Sequence, residues 1–111
     1  MATIGVADFQ KVEMRVGRIV DVQDFPEARN PSYRLRIDFG SFGIKTSSAA
    51  VQRWYRKEEL LGRPIIAVTN FPPRQVGPFI SEVLCLGAVQ SDGQVIMLRP
   101  DAEGELGARI A

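Results

Sequence analysis

Residues 70 to 82, "NFPPRQVGPFISE", hold the side chains with most to offer a ligand. Phe71 and Phe79 bring aromatic faces, and Arg74 brings a planar guanidinium with five donors. Asn70, Ser81 and Glu82 add short hydrogen-bonding groups. Aromatic rings beside an arginine suit single-stranded RNA, where bases stack and phosphates pair. The same set suits an extended polypeptide, with rings for its apolar side chains and guanidinium for its carbonyls or acids. Upstream, "YRLRIDF" places Arg34 and Arg36 on one face of a strand, and "IKTSSA" supplies Lys45, Ser47 and Ser48. The expected binding rim is therefore Arg34, Arg36, Lys45, Ser47, Ser48, Asn70, Phe71, Arg74, Phe79, Ser81 and Glu82, with Arg29 and Arg53 beside it.

Bond-making chemistry finds little support. The chain has no histidine, which removes the usual general base and the commonest metal ligand. Glu58-Glu59 and the pair Glu103 and Glu105 have no nucleophile, phosphate loop or metal-ligand spacing around them. The lone Cys85 lies in "EVLCLGA", the setting of a small buried hydrophobe, and one cysteine makes no internal disulfide. The expectation is a non-catalytic protein without metal or cofactor.

Composition bounds the class. The 111 residues fit one domain, here residues 1–111, and the 45% hydrophobic and 24% charged content is that of a globular protein. A net charge of +1 does not suit a protein that holds nucleic acid mainly through bulk charge. The opening residues lack a charged region followed by an apolar run, and no apolar run approaches a membrane span. A cytoplasmic protein without membrane insertion is expected.

These side chains need elements to hold them. Asp8 is read as the N-cap of a short helical turn. "MRVGRIVDVQDF" is a first strand with a bulge expected at Gly17, and "YRLRIDF" a second with Tyr33, Leu35, Ile37 and Phe39 inward. "IKTSSA" is a third, and "VQRWYRKEELLG" reads as short helical turns, with one of Trp54 and Tyr55 packed and the other outward. "PIIAVTNF" is a fourth strand, "SEVLCLGAVQ" a fifth, and "QVIMLRP" returns after the turn "SDG" as a sixth. Three strands, a helical link and further strands predict an all-β OB-fold, a Greek-key barrel with short helices.

The stretches "DFQKVEMRVGRIVDV", "SSA", "LLGRPIIAVTNFPP" and "SEVLCLGA" resemble, in that order, the tRNA-binding domain family of OB-folds. Within that family "NPSYRLRIDFG", "IKTSSA" and "AVTNFPPRQVGPFISEVLCLG" are similar to the CsaA-type export-related chaperones. The resemblance implies a homodimer that binds unfolded or precursor polypeptides and contacts the protein translocation machinery, with tRNA binding through the same face as the alternative. It also assigns Asn70, Ser81 and Glu82 to family positions. Where most tRNA-binding relatives continue with glycine and methionine, this chain has Val83 and Leu84. Ile4, Val6, Phe9, Val95, Ile96 and Leu98 are the apolar residues expected to be covered by a second copy.

Overall fold

The computed structural model describes residues 1–111. In chain order the elements are α1 (Val6–Gln10), β1 (Met14–Asp24), β2 (Tyr33–Asp38), a 3-10 turn (Gly40–Phe42), β3 (Ile44–Ala49), α2 (Lys57–Leu60), β4 (Pro64–Val68), β5 (Arg74–Val76), β6 (Phe79–Ser81), β7 (Leu84–Cys85), β8 (Gly87–Val89) and β9 (Val95–Met97).

Alternation organises the barrel. On β2, Tyr33, Leu35 and Ile37 are buried while Arg34, Arg36 and Asp38 point to the other face. The central sheet runs β3-β2-β1-β4-β7, and every neighbouring pair is antiparallel. The result is a nearly closed five-stranded barrel with a short helix between its third and fourth strands, the predicted OB-fold. Ile19, Leu35, Ile37, Phe39, Leu60, Ile65 and Ala67 are fully buried inside it. Tyr55 caps one end: its hydroxyl accepts from Met97 N–H at 3.1 Å, and its carbonyl accepts from the Tyr33 hydroxyl at 2.9 Å. Trp54 beside it is exposed, as adjacent positions on a turn require.

Several local readings are corrected. The α1 N-cap is Gly5; Asp8 stands three residues in, and its carboxylate accepts from Gly5 N–H at 3.1 Å. The β1 register shifts between Ile19 and Asp21, not at Gly17, which turns Val20 outward. Gly17 has a packing reason instead, because a Cβ there would stand 2.5 Å from Ile37 Cγ2 and 2.7 Å from Phe39 Cε1. The predicted fifth strand breaks in two: β7 joins the barrel, and β8 pairs only with β9. The segment after Pro72-Pro73 forms a hairpin of its own, β5 with β6, turning at Gly77-Pro78. The polar tail folds back on β1, where Val16 N–H donates to Ala108 O at 3.0 Å and Ile110 N–H to Met14 O at 2.9 Å.

Gly17→Ala is expected to lower unfolding free energy by about 1–3 kcal/mol, the usual cost of overpacking a filled core. Urea denaturation of the two proteins measures it, and equal midpoints would contradict the close packing of β1 on β2 at this position.

Candidate functional site

β3 is the outer strand of the sheet, and an outer strand must satisfy its free backbone groups. The segment after β6 does this with side chains as well as backbone. Glu82 N–H and Val83 N–H both donate to Thr46 O, at 2.8 and 3.2 Å. Thr46 returns its own N–H and its hydroxyl to Glu82 Oε1, at 3.1 and 3.0 Å. Ser48 N–H donates to Ser81 Oγ at 3.2 Å, and Ser81 Oγ donates to Val83 O at 3.3 Å. Ser81 and Glu82 therefore close the barrel.

This closure leaves a concavity of about 270 Å³ lined by Ser48, Phe71, Pro72, Arg74, Ser81, Glu82, Val83 and Leu84. Phe71 and Leu84 are both 46% exposed and stand together at its lip. Val83 beneath them is buried and joins the core. Arg74 is exposed on β5. The Arg74 guanidinium and the Ser48 hydroxyl make no hydrogen bond or ion pair within the chain, so both can serve a ligand. The hollow thus has an apolar lip, one free cation and one free hydroxyl.

Five of the eleven sequence-predicted positions meet here: Ser48, Phe71, Arg74, Ser81 and Glu82. The other six lie elsewhere. Ser47 is fully buried, donates to Ser48 O at 3.4 Å and accepts the Cys85 thiol at 3.6 Å, so no ligand reaches it. Asn70 ties down the N-terminal segment, its Oδ1 accepting from Glu13 N–H at 2.9 Å and its Nδ2 donating to Lys11 O at 2.8 Å. Phe79 packs edge-on against Phe25 with centroids 5.4 Å apart. Arg34 lies over both rings, 4.6 Å from Phe25 and 5.4 Å from Phe79, and pairs with Glu27 at 3.1 Å. Arg36 is exposed on the outer face of the sheet, between Asp21 of β1 and Thr46 of β3. Lys45 borders a separate recess of about 200 Å³ with Glu13, Arg15, Phe39, Phe42 and Thr69. In that recess Arg15 stacks 3.8 Å from the Phe42 centroid and bonds Glu13 Oε1 at 2.7 Å, which holds the Glu13 carboxyl below the usual carboxylate range. Of the neighbouring arginines, Arg53 pairs with Asp92 at 2.9 Å and Arg29 is exposed on its loop.

Sequence alone does not single out Pro72 or Leu84 as site residues. Leu84 sits in an unbroken apolar run, where no alternation tells the exposed position from the buried one.

Cys85 is half-buried, and desolvation of its thiol pushes its pKa up to about 11, against a smaller opposing effect from Ser47. A thiol held protonated at neutral pH is a poor nucleophile, in keeping with its reading as a small hydrophobe.

Comparisons with known proteins show the family and the fold. The "tRNA binding domain" family model matches residues 14–109. The methionine–tRNA ligase of Pyrococcus furiosus is 36% identical over 111 residues, which cover 99% of this chain and 15% of that enzyme. The chain therefore spans about 15% of the length of the curated relatives it matches. Among solved structures, the chaperone CsaA of Bacillus anthracis aligns with a TM-score of 0.95 at 44% identity, over 99% of this chain and 100% of that one. The CsaA chaperone of Picrophilus torridus aligns at 0.91 with 52% identity, over 98% and 100%.

Because the folded thiol has the higher pKa, its contribution to stability is whole below the unfolded thiol value and is lost as pH rises through about 11. Unfolding free energy is expected to fall by about 1–3 kcal/mol over that window through this group. Cys85→Val is expected to flatten part of the fall, and denaturation at pH 8 and pH 10.5 measures the difference; the rise in the Tyr33 pKa from burial leaves a remainder in both proteins.

Proposed function

The chain belongs to the tRNA-binding domain family, and from that premise we propose that it is a non-catalytic chaperone of CsaA type that captures extended segments of unfolded or export-bound polypeptides. The observation that carries this reading is the lip of the concavity: Phe71 and Leu84 are left exposed around one unpaired guanidinium. Apolar side chains of a client bury against Phe71, Pro72 and Leu84, while Arg74 and the Ser48 hydroxyl hold its backbone carbonyls or acidic groups. Pro72 and Pro73 stiffen the lip, which lowers the entropy lost when a ligand is bound.

The working form is a homodimer in the cytoplasm. α1 has no buried residue, and Ile4, Val6 and Phe9 on and beside it are exposed together. A two-fold contact that covers them would supply apolar area the single chain lacks. It would also put two concavities on one particle, so that a long client gains from avidity. Delivery of such a client to the translocation machinery is part of the same proposal.

The second reading is tRNA binding on the same face. Arg36, Arg74 and Arg29 favour it, since all three are exposed and none is paired with an acid. Arg74 is the one cation that lines the hollow, and Ser81 and Glu82 already serve the barrel. These points rank it below polypeptide capture.

A parallel titration separates the two. Wild-type protein is expected to bind reduced, carboxymethylated α-lactalbumin with an affinity that changes little between 50 and 200 mM salt. Phe71→Ala is expected to weaken that binding about tenfold, the scale of one buried aromatic contact. Bulk tRNA binding that falls steeply with salt, with no α-lactalbumin binding, would reverse the ranking. Sedimentation velocity tests the dimer: the double substitution Val6→Asp with Phe9→Asp is expected to convert it to monomer at micromolar concentration.

A further inference from the structure

We infer that Arg34 is a positioning residue: it locks the tip of the β5–β6 hairpin so that the base of the same hairpin can form the concavity. The inference rests on the concavity being the binding site. A hairpin of two three-residue strands is marginal by itself. Its base is fixed, since Arg74 stands opposite Ser81 and Ser81 is bonded to β3. At the other end Val76 stands opposite Phe79, next to the turn. That end is held by the loop after β1. Phe25 is 2% exposed and meets Phe79 edge-on, and the Arg34 guanidinium covers both rings from β2. Glu27 anchors the far side of the guanidinium. Arg34 Nε is buried without a hydrogen-bond partner, so the ring faces are its compensation. The guanidinium reinforces the one ring contact between the loop after β1 and the hairpin tip.

A lysine keeps the charge of Arg34 but lacks the broad guanidinium that reaches both rings at once. Arg34→Lys is therefore expected to weaken reduced, carboxymethylated α-lactalbumin binding about fivefold, without changing the slope of affinity against salt. Amide hydrogen exchange is expected to accelerate at least tenfold over residues 74–81 while the exchange of β1 and β2 stays near wild type. Phe25→Leu, which alters no charge, is expected to do the same, and the double variant little more, because both break one unit. Wild-type affinity in Arg34→Lys with a loss in Arg34→Ala would overturn the inference in favour of a direct charge contact with the ligand. Unchanged exchange in the hairpin in both Arg34→Lys and Phe25→Leu would overturn it outright. Should wild-type protein bind no α-lactalbumin, the functional reading fails, and the exchange measurement still decides the clamp on its own.

Discussion

The free edge of β3 is the constraint on which the rest depends. A barrel of five strands with its last strand only two residues long cannot close by a regular ladder. Residues 81–83 complete it with a mixture of backbone and side-chain bonds to Thr46 and Ser48. Each of those bonds removes a group that would otherwise be an unsatisfied donor or acceptor at a buried seam. The same geometry sets what faces water. With Ser81 and Val83 buried, Leu84 is turned outward beside Phe71 and Arg74. The concavity is thus a by-product of closure, floored by residues 81–83 that close the barrel and lipped by those that closure leaves over.

Charge is divided along the same lines. Arg15, Arg18, Arg34 and Arg53 are each paired with a carboxylate, and each pair links segments far apart in the fold or closes a local turn. The more exposed of these pairs add little stability one by one, but they fix where long side chains lie. What remains for a partner is the seven cations without an acid partner, the exposed Arg29, Arg36 and Arg74 among them. A net charge of +1 hides this division. It matters for function, since RNA affinity grows with the number of phosphates neutralised, whereas an apolar contact needs only one well-placed hollow.

Much of the fold is legible in the sequence because β2 alternates without error and because helical signals interrupt the strands at one point only. Period alone places Tyr33, Leu35, Ile37 and Phe39 inside, and they are inside. Legibility fails where a residue's role depends on a distant partner. Nothing local distinguishes Ser47, whose hydroxyl meets a thiol from β7, from Ser48, which lines the hollow. Asn70 looks like a ligand-binding amide until the N-terminal segment is folded against it. Phe79 and Phe71 are equal as letters, yet one is under the Arg34 stack and the other is at the lip. The hairpin β5–β6 is hidden in the sequence because Pro72-Pro73, which bars regular structure, stands immediately before it and its strands are too short to show a period.

Stiffness is the remaining consequence. The resemblance to tRNA-binding domains sets a glycine and a methionine where this chain has Val83 and Leu84. Glycine there would leave the backbone free, and methionine would let the lip adapt its shape. A buried valine and a branched leucine do the reverse, and the adjoining prolines add to it. A hollow of about 270 Å³ that adapts little leaves the fitting to the ligand. An unfolded polypeptide can slide one apolar side chain after another past a fixed lip until one seats. A folded tRNA can offer only the bases its own structure leaves unstacked. On the proposed reading, a stiffer lip suits the more flexible of the two ligands.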